Sequence, residues 1–153
     1  MGQLKRLLSP ENVVLNLEAT SKKRVFEKVG LLFENNLGIA QSAVFDALFE
    51  REKLGSTGIG QGVAIPHGRI KGLRAAKGAF VRLTSPVPFE SPDAKPVSML
   101  FVLLVPEHAT ELHLQILSEL AELFSDRRRR EMLATTESVE EVRQIFSLER
   151  EPA

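Results

Sequence analysis

Seven apolar residues follow one another from Met99 to Val105, Met-Leu-Phe-Val-Leu-Leu-Val. Crossing a bilayer takes roughly 20 such residues, so the run is too short for a membrane span. It is also too uniform for a surface helix or a strand with one wet face, because both interleave polar residues at their own period. A run of this length and composition predicts a strand over Val97 to Val105 at the centre of a sheet, with both of its faces covered. A second strand is expected over Ala79 to Thr84.

The rest of the chain supplies the covers. After Pro10, Val13, Leu15 and Leu17 alternate with polar or smaller residues and read as a half-buried strand. Ser21 then caps a helix whose apolar stripe is Val25, Phe26, Val29, Leu32 and Phe33 and whose stop is Asn35-Asn36-Leu37-Gly38. A second helix is expected from Ser42 as its cap, through Val44, Phe45, Leu48 and Phe49, to Gly55, with Arg51 and Lys53 in its last turn. The C-terminal third is helical: Thr110 caps a segment to about Phe124, a short helix follows Asp126, and Ser138 with Glu141 forms a capping box for Val139 to Phe146. No linker or internal repeat interrupts the 153 residues. The expectation is one α/β domain over residues 1–153, with a core of about 8–147, in which a mixed β-sheet carries helices on both faces.

Composition narrows the function. Twenty basic residues balance twenty acidic ones, and Tyr and Trp are absent, which disfavours nucleic acid as a partner. The run Arg127 to Arg130 lies between Asp126 and Glu131 and reads as a solvated helix face. With no cysteine there is no thiol nucleophile, thiolate zinc site or iron-sulfur cluster. Met1 to Leu8 has no long apolar segment, so no membrane insertion is expected and the cytoplasm is the expected location.

Four glycines fall within eight residues, Gly55, Gly58, Gly60 and Gly62, and lead into Val63-Ala64-Ile65-Pro66-His67-Gly68. Gly55 and Gly60 have the P-loop separation, but Gln61 and Gly62 stand where Lys and Ser/Thr must reach phosphates and magnesium. Val63 occupies the place of the third dinucleotide-fingerprint glycine. A nucleotide site is therefore not expected. What remains is a pliable backbone with amides and the hydroxyls of Ser56 and Thr57, suited to an anion, ahead of a histidine at a strand end. Taken alone, His67 reads either as an accessible functional imidazole or as a satisfied core or turn histidine. His113 falls on the same helical stripe as Ile116, Leu117, Leu120 and Phe124, in a first turn where a negative group is favoured, and reads either as a site residue or as a packing one. His108 belongs to a solvated loop, and the sequence has no HExxH or closely spaced pair to support zinc.

The segment Glu-Lys-Leu-Gly-Ser-Thr-Gly-Ile-Gly-Gln-Gly-Val-Ala-Ile-Pro-His-Gly, Glu52 to Gly68, resembles the active-site signature of the phosphotransferase-system IIA family of the fructose/mannitol type. The opening, Leu8-Ser9-Pro10-Glu11-Asn12-Val13 with Asn16-Leu17-Glu18-Ala19-Thr20-Ser21-Lys22-Lys23, is similar to the nitrogen-regulatory branch of that family. The resemblance implies that His67 is the phosphoryl acceptor through Nε2, that His113 and Arg51 spread the charge of the moving group, and that the loop with Ser56, Thr57, Gly58 and Gly60 binds phosphate. It implies no cofactor and no metal. The implied donor is a small HPr-like phosphocarrier, charged from phosphoenolpyruvate by an enzyme I, and the implied targets are sensor kinases or potassium transporters. Two other readings stay open: a sugar-transport IIA component passing phosphate to a IIB partner, and a binding module that keeps the fold without turnover.

Overall fold

The structure is a computed structural model and describes residues 3–147. At its centre lies β6 (Val97–Pro106), and every residue from 99 to 105 is buried. Its side chains divide by parity, as a pleated strand requires. Met99, Phe101, Leu103 and Val105 enter one apolar cluster, and Leu100, Val102 and Leu104 enter another on the opposite face.

Along one edge of β6 runs β5 (Lys77–Val87), antiparallel, and beyond it β1 (Val13–Leu17), parallel to β5. Along the other edge lie β3 (Val63–Ala64) and β4 (His67–Ile70), both parallel to β6, with β2 (Gly58–Gly60) antiparallel to β3 outside them. The sheet is thus mixed, in the order β1-β5-β6-β3-β2 with β4 also on β6. The pairings Val63 with Met99 and His67 with Leu103 share one offset, so β3 and β4 are a single edge interrupted at Pro66. Proline has no N–H to give a ladder, but its carbonyl still accepts from the Leu103 N–H at 2.9 Å, which keeps the register.

Each face has its own helices. α2 (Lys22–Leu37) and α3 (Gln41–Lys53) bring Val25, Phe26, Val29, Phe33, Val44 and Leu48 to one cluster. α1 (Gln3–Leu7), α4 (Glu111–Ser125), α5 (Arg127–Thr135) and α6 (Val139–Ser147) bring Leu4, Ile116, Leu120, Phe124, Leu133 and Phe146 to the other. The expected single α/β domain with helices on both faces is what forms.

Local signals decide the helix ends. The Ser21 hydroxyl accepts from the Arg24 N–H, and Gly38, in the left-handed region at φ 70°, closes α2. Ser42 is not a cap: α3 begins one residue earlier, where the Glu34 carboxylate accepts from the Gln41 N–H at 2.7 Å. A longer reach from the preceding helix replaces the local hydroxyl. The short helix expected after Asp126 forms, and the Asp126 side chain caps it by accepting from the Arg128 N–H. The capping box is half formed, since the Glu141 N–H donates to the Ser138 hydroxyl while the Ser138 N–H donates to Thr136. The glycine-rich segment is a strand and tight turn rather than a free loop, with Gly60, Gln61 and Gly62 all at positive φ. The arginine run is solvated only in part. Arg127 faces water, but Arg130 donates to the Phe124 carbonyl at 2.8 Å and the Arg129 side chain is mostly covered beside Asp126.

One glycine fixes the distance between sheet and helix. A Cβ at Gly68 would meet the Cβ of Ala47 on α3 at 2.8 Å and its carbonyl carbon at 3.0 Å. Gly68 therefore lets α3 lie directly on β4. Gly68→Ala should cost about 1–3 kcal/mol in urea unfolding, as overpacking does; an unchanged midpoint would show that helix and strand do not press together there.

Candidate active site

Three segments converge at the interrupted edge. His67 begins β4 rather than ending a strand, because the chain turns at Ile65-Pro66 and rejoins β6 at His67. Gly68 lets α3 close in at Ala47, and one turn further along the same helix stands Arg51. The first turn of α4 brings His113, whose ring lies 5.2 Å from that of His67 at 66°. The structure thus brings together the two histidines and the arginine singled out in the sequence. His108 lies apart, its side chain 93% exposed beside Glu107.

The bonds to His67 assign its protons. Nδ1 is 2.8 Å from the Ile65 carbonyl oxygen, which can only accept, so Nδ1 carries the hydrogen. Nε2 is 3.2 Å from Arg51 Nε, which can only donate, so Nε2 presents its lone pair. The same arginine donates from Nη1 to the Gly55 carbonyl at 2.8 Å and is fixed at both ends. Burial pushes the His67 pKa below 6.5, the Arg51 and Arg69 guanidiniums add to the effect, and the Ile65 bond and the Glu52 carboxylate oppose it.

His113 is 9% exposed, and its Nε2 is buried without a hydrogen-bond partner. Burial lowers its pKa, and positive charge at His67, Arg69 and Arg51 lowers it further. A buried polar atom left unpaired costs about 1–3 kcal/mol, which a group arriving between the two rings would recover. The arrangement offers a neutral nucleophilic nitrogen, a guanidinium, a second imidazole nitrogen and the N-terminus of a 15-residue helix. That set suits a tetrahedral dianion in transit. Among the described residues no three His, Cys, Asp or Glu side chains group as metal ligands.

The glycine segment is placed differently from its sequence expectation. The Ser56 hydroxyl donates to the Phe89 carbonyl and accepts from the Gly58 N–H, and the Thr57 hydroxyl donates to Glu52 Oε1 at 2.6 Å. Both hydroxyls are engaged within the fold. The Thr57 N–H is likewise engaged by Glu52, and the tip beyond Gly60 is held by Asp93, which accepts from the Gln61 N–H at 2.9 Å. Thr57 reaches the strand that leads to His67 through backbone, its carbonyl accepting from the Ile65 N–H at 3.0 Å.

Sequence reasoning missed the support beneath this segment. Glu52, with 5% of its side chain exposed, meets Lys22 Nζ at 2.8 Å, and that ammonium also donates to the Phe89 carbonyl at 3.2 Å. The partners lie thirty residues apart, and no local pattern links them. Arg69 was also missed, although residues two apart on a strand share a face and His67 itself points to it.

Residues 6–148 match the family described as the phosphoenolpyruvate-dependent sugar phosphotransferase system, EIIA 2. The nitrogen regulatory protein of Pseudomonas aeruginosa is 40% identical over 146 residues, 95% of this chain and 95% of its own length. That of Escherichia coli is 41% identical over 147 residues, 95% and 90% of the two chains. The crystal structure of the nitrogen regulatory protein IIA-Ntr from Neisseria meningitidis superposes with a TM-score of 0.88 at 54% identity, covering 93% of this chain and 97% of that one.

Both imidazoles should titrate below pH 6.5 in ¹⁵N NMR spectra, and Arg51→Gln should move the His67 inflection upward by removing a positive neighbour. Stability follows the same sign. Above pH 6.5 both rings are neutral folded and unfolded, whereas below it the unfolded chain binds protons first, so these groups lower the thermal midpoint as the pH falls through that window. An inflection above 6.5 for His67 would contradict the assigned environment.

Proposed function

The chain belongs to the EIIA 2 family of the phosphoenolpyruvate-dependent sugar phosphotransferase system, and from that premise we propose that it is a phosphohistidine relay whose phosphorylation state regulates other proteins. The acceptor is Nε2 of His67 and the donor an HPr-like phosphocarrier. The observation that carries this reading is the pair of bonds that hold hydrogen on Nδ1 and leave the lone pair on Nε2. The naming of the relatives as nitrogen regulatory proteins supports a regulatory outcome.

The transfer balances without a metal or an added base. The Nε2 lone pair forms a bond to phosphorus as the donor's nitrogen–phosphorus bond breaks, and the electron pair leaves with the donor imidazole. His67 keeps its Nδ1 hydrogen throughout, and the Ile65 carbonyl stabilises the positive charge that grows on the ring. Arg51 Nε moves from the lone pair to a phosphoryl oxygen while Nη1 keeps its hold on Gly55. His113 Nε2 then gains the partner it lacks, as donor of its hydrogen to a second oxygen. Positioning and charge stabilisation do most of this work. The segment with Ser56, Thr57, Gly58 and Gly60 contributes as the frame under the phosphate site, since both of its hydroxyls face inward.

A phosphate adds a charge of about −1.5 to −2, enough to change which proteins bind a neutral chain. Sensor kinases and potassium transporters are the targets this reading selects, met in the cytoplasm.

Phosphoryl transfer from phosphoenolpyruvate through an enzyme I and an HPr-like carrier, read by intact mass, tests the relay. Wild type should gain one phosphate, and His67→Ala none while keeping its thermal midpoint; phosphate persisting in that variant would reject the acceptor. His113→Ala and Arg51→Ala should each slow single-turnover transfer by about 10- to 1000-fold, the range for one lost charge-stabilising donor. An unchanged rate in either would remove that residue from the site.

A further inference from the structure

Helix α4, which carries His113, starts without the hydroxyl cap its sequence led one to expect. Thr110 stands at the cap position with φ −126° and ψ −76°, and its side chain makes no capping bond. The chain just before it is held from the side. Arg69 Nη1 donates to the Glu107 carbonyl at 3.0 Å and also to the Ala109 carbonyl. With the Ala109 N–H on the Pro106 carbonyl at 3.0 Å, these bonds fix the turn between β6 and α4.

Arg69 lies two residues beyond His67 on β4, opposite Val105 in the ladder. The two share a face of the strand, while the intervening Gly68 meets α3. One short strand therefore carries the acceptor and the side chain that seats the helix bearing the second histidine. His113 has no hydrogen bond at Nε2 to place it, so its distance from His67 depends on how α4 is seated. We infer that Arg69 is a positioning residue of the relay, which sets His113 against His67 by holding the Glu107 and Ala109 carbonyls. This rests on the reading of His67 as acceptor. A shift of about 1 Å in a reacting site can cost on the order of 100-fold in rate, so a seating bond outside the site matters.

Coupling between the two residues distinguishes this from a direct clamp on the phosphoryl group. Arg69→Met keeps the aliphatic stem and removes the donors, and Arg69→Lys restores a donor. Single-turnover transfer to His67 from the phosphorylated HPr-like carrier should fall about tenfold in Arg69→Met and recover to within about threefold of wild type in Arg69→Lys. In a His113→Ala background the Arg69→Met change should have less than about a twofold effect, because the residue it positions is gone. A tenfold loss that persists in that background, or a wild-type rate in Arg69→Met, overturns the inference. Hydrogen exchange in the unphosphorylated protein reads the same device without any transfer. The Leu114 N–H, bonded to the Thr110 carbonyl at 3.2 Å in the opening turn, should exchange faster in Arg69→Met. Unchanged exchange would overturn the seating role. If wild type accepts no phosphate, the relay reading fails, and the exchange result still decides whether Arg69 seats α4.

Discussion

A strand with no exposed face must be covered twice, and in this fold that strand is β6. Its alternate side chains bind α2 and α3 to one side and α1, α4, α5 and α6 to the other. The edge that β6 offers to residues 63–70 then sets where the chemistry can occur. The ladder resumes after Pro66 at the same offset, so His67 is held by the register of the central strand and not by a mobile loop. Gly68 fixes how near α3 approaches, and Arg69 reaches the turn that leaves β6 for α4. The three segments of the site are thus all referred to one rigid strand.

Electrostatics around His67 favour a neutral ring for reasons that do not depend on the bound group. Burial and the neighbouring guanidiniums both disfavour the imidazolium. The Glu52 carboxylate opposes them, but Lys22 Nζ at 2.8 Å and the Thr57 N–H and hydroxyl hold it below the glycine segment. A carboxylate nearer the two rings would repel an incoming phosphate. Kept where it is, Glu52 anchors the turn that follows Arg51.

Much of this was legible in the sequence. The buried run at 99–105 gave away the central strand, the Ser21 and Gly38 signals marked α2, and apolar spacings of three and four put His113 on the inner face of α4. Local patterns report what a segment does with its own neighbours, and these features are of that kind. The contacts that escaped join distant segments. Glu34 substitutes for Ser42 at the start of α3, Arg69 holds the Glu107 and Ala109 carbonyls in the turn before α4, and Lys22 meets Glu52 across thirty residues. The short strands β2 and β4 escaped because a four-residue or shorter element has no periodicity of its own and exists only where a neighbour supplies its hydrogen bonds. The glycine segment misled for a related reason: its hydroxyls look available in one dimension and turn inward to Phe89 and Glu52 in three.

On the relay reading, the resting site is one polar group short of complete. Arg51 already rests on the lone pair that must attack, while His113 Nε2 has no hydrogen-bond partner. Both conditions are relieved when a phosphoryl group enters between them: Arg51 exchanges one acceptor for another, and His113 gains one. A site satisfied at rest would bind its phosphate more weakly, and one with several charged groups unpaired would hold it too tightly to pass on. The single buried nitrogen left unsatisfied corresponds to about 1–3 kcal/mol that an entering acceptor would recover.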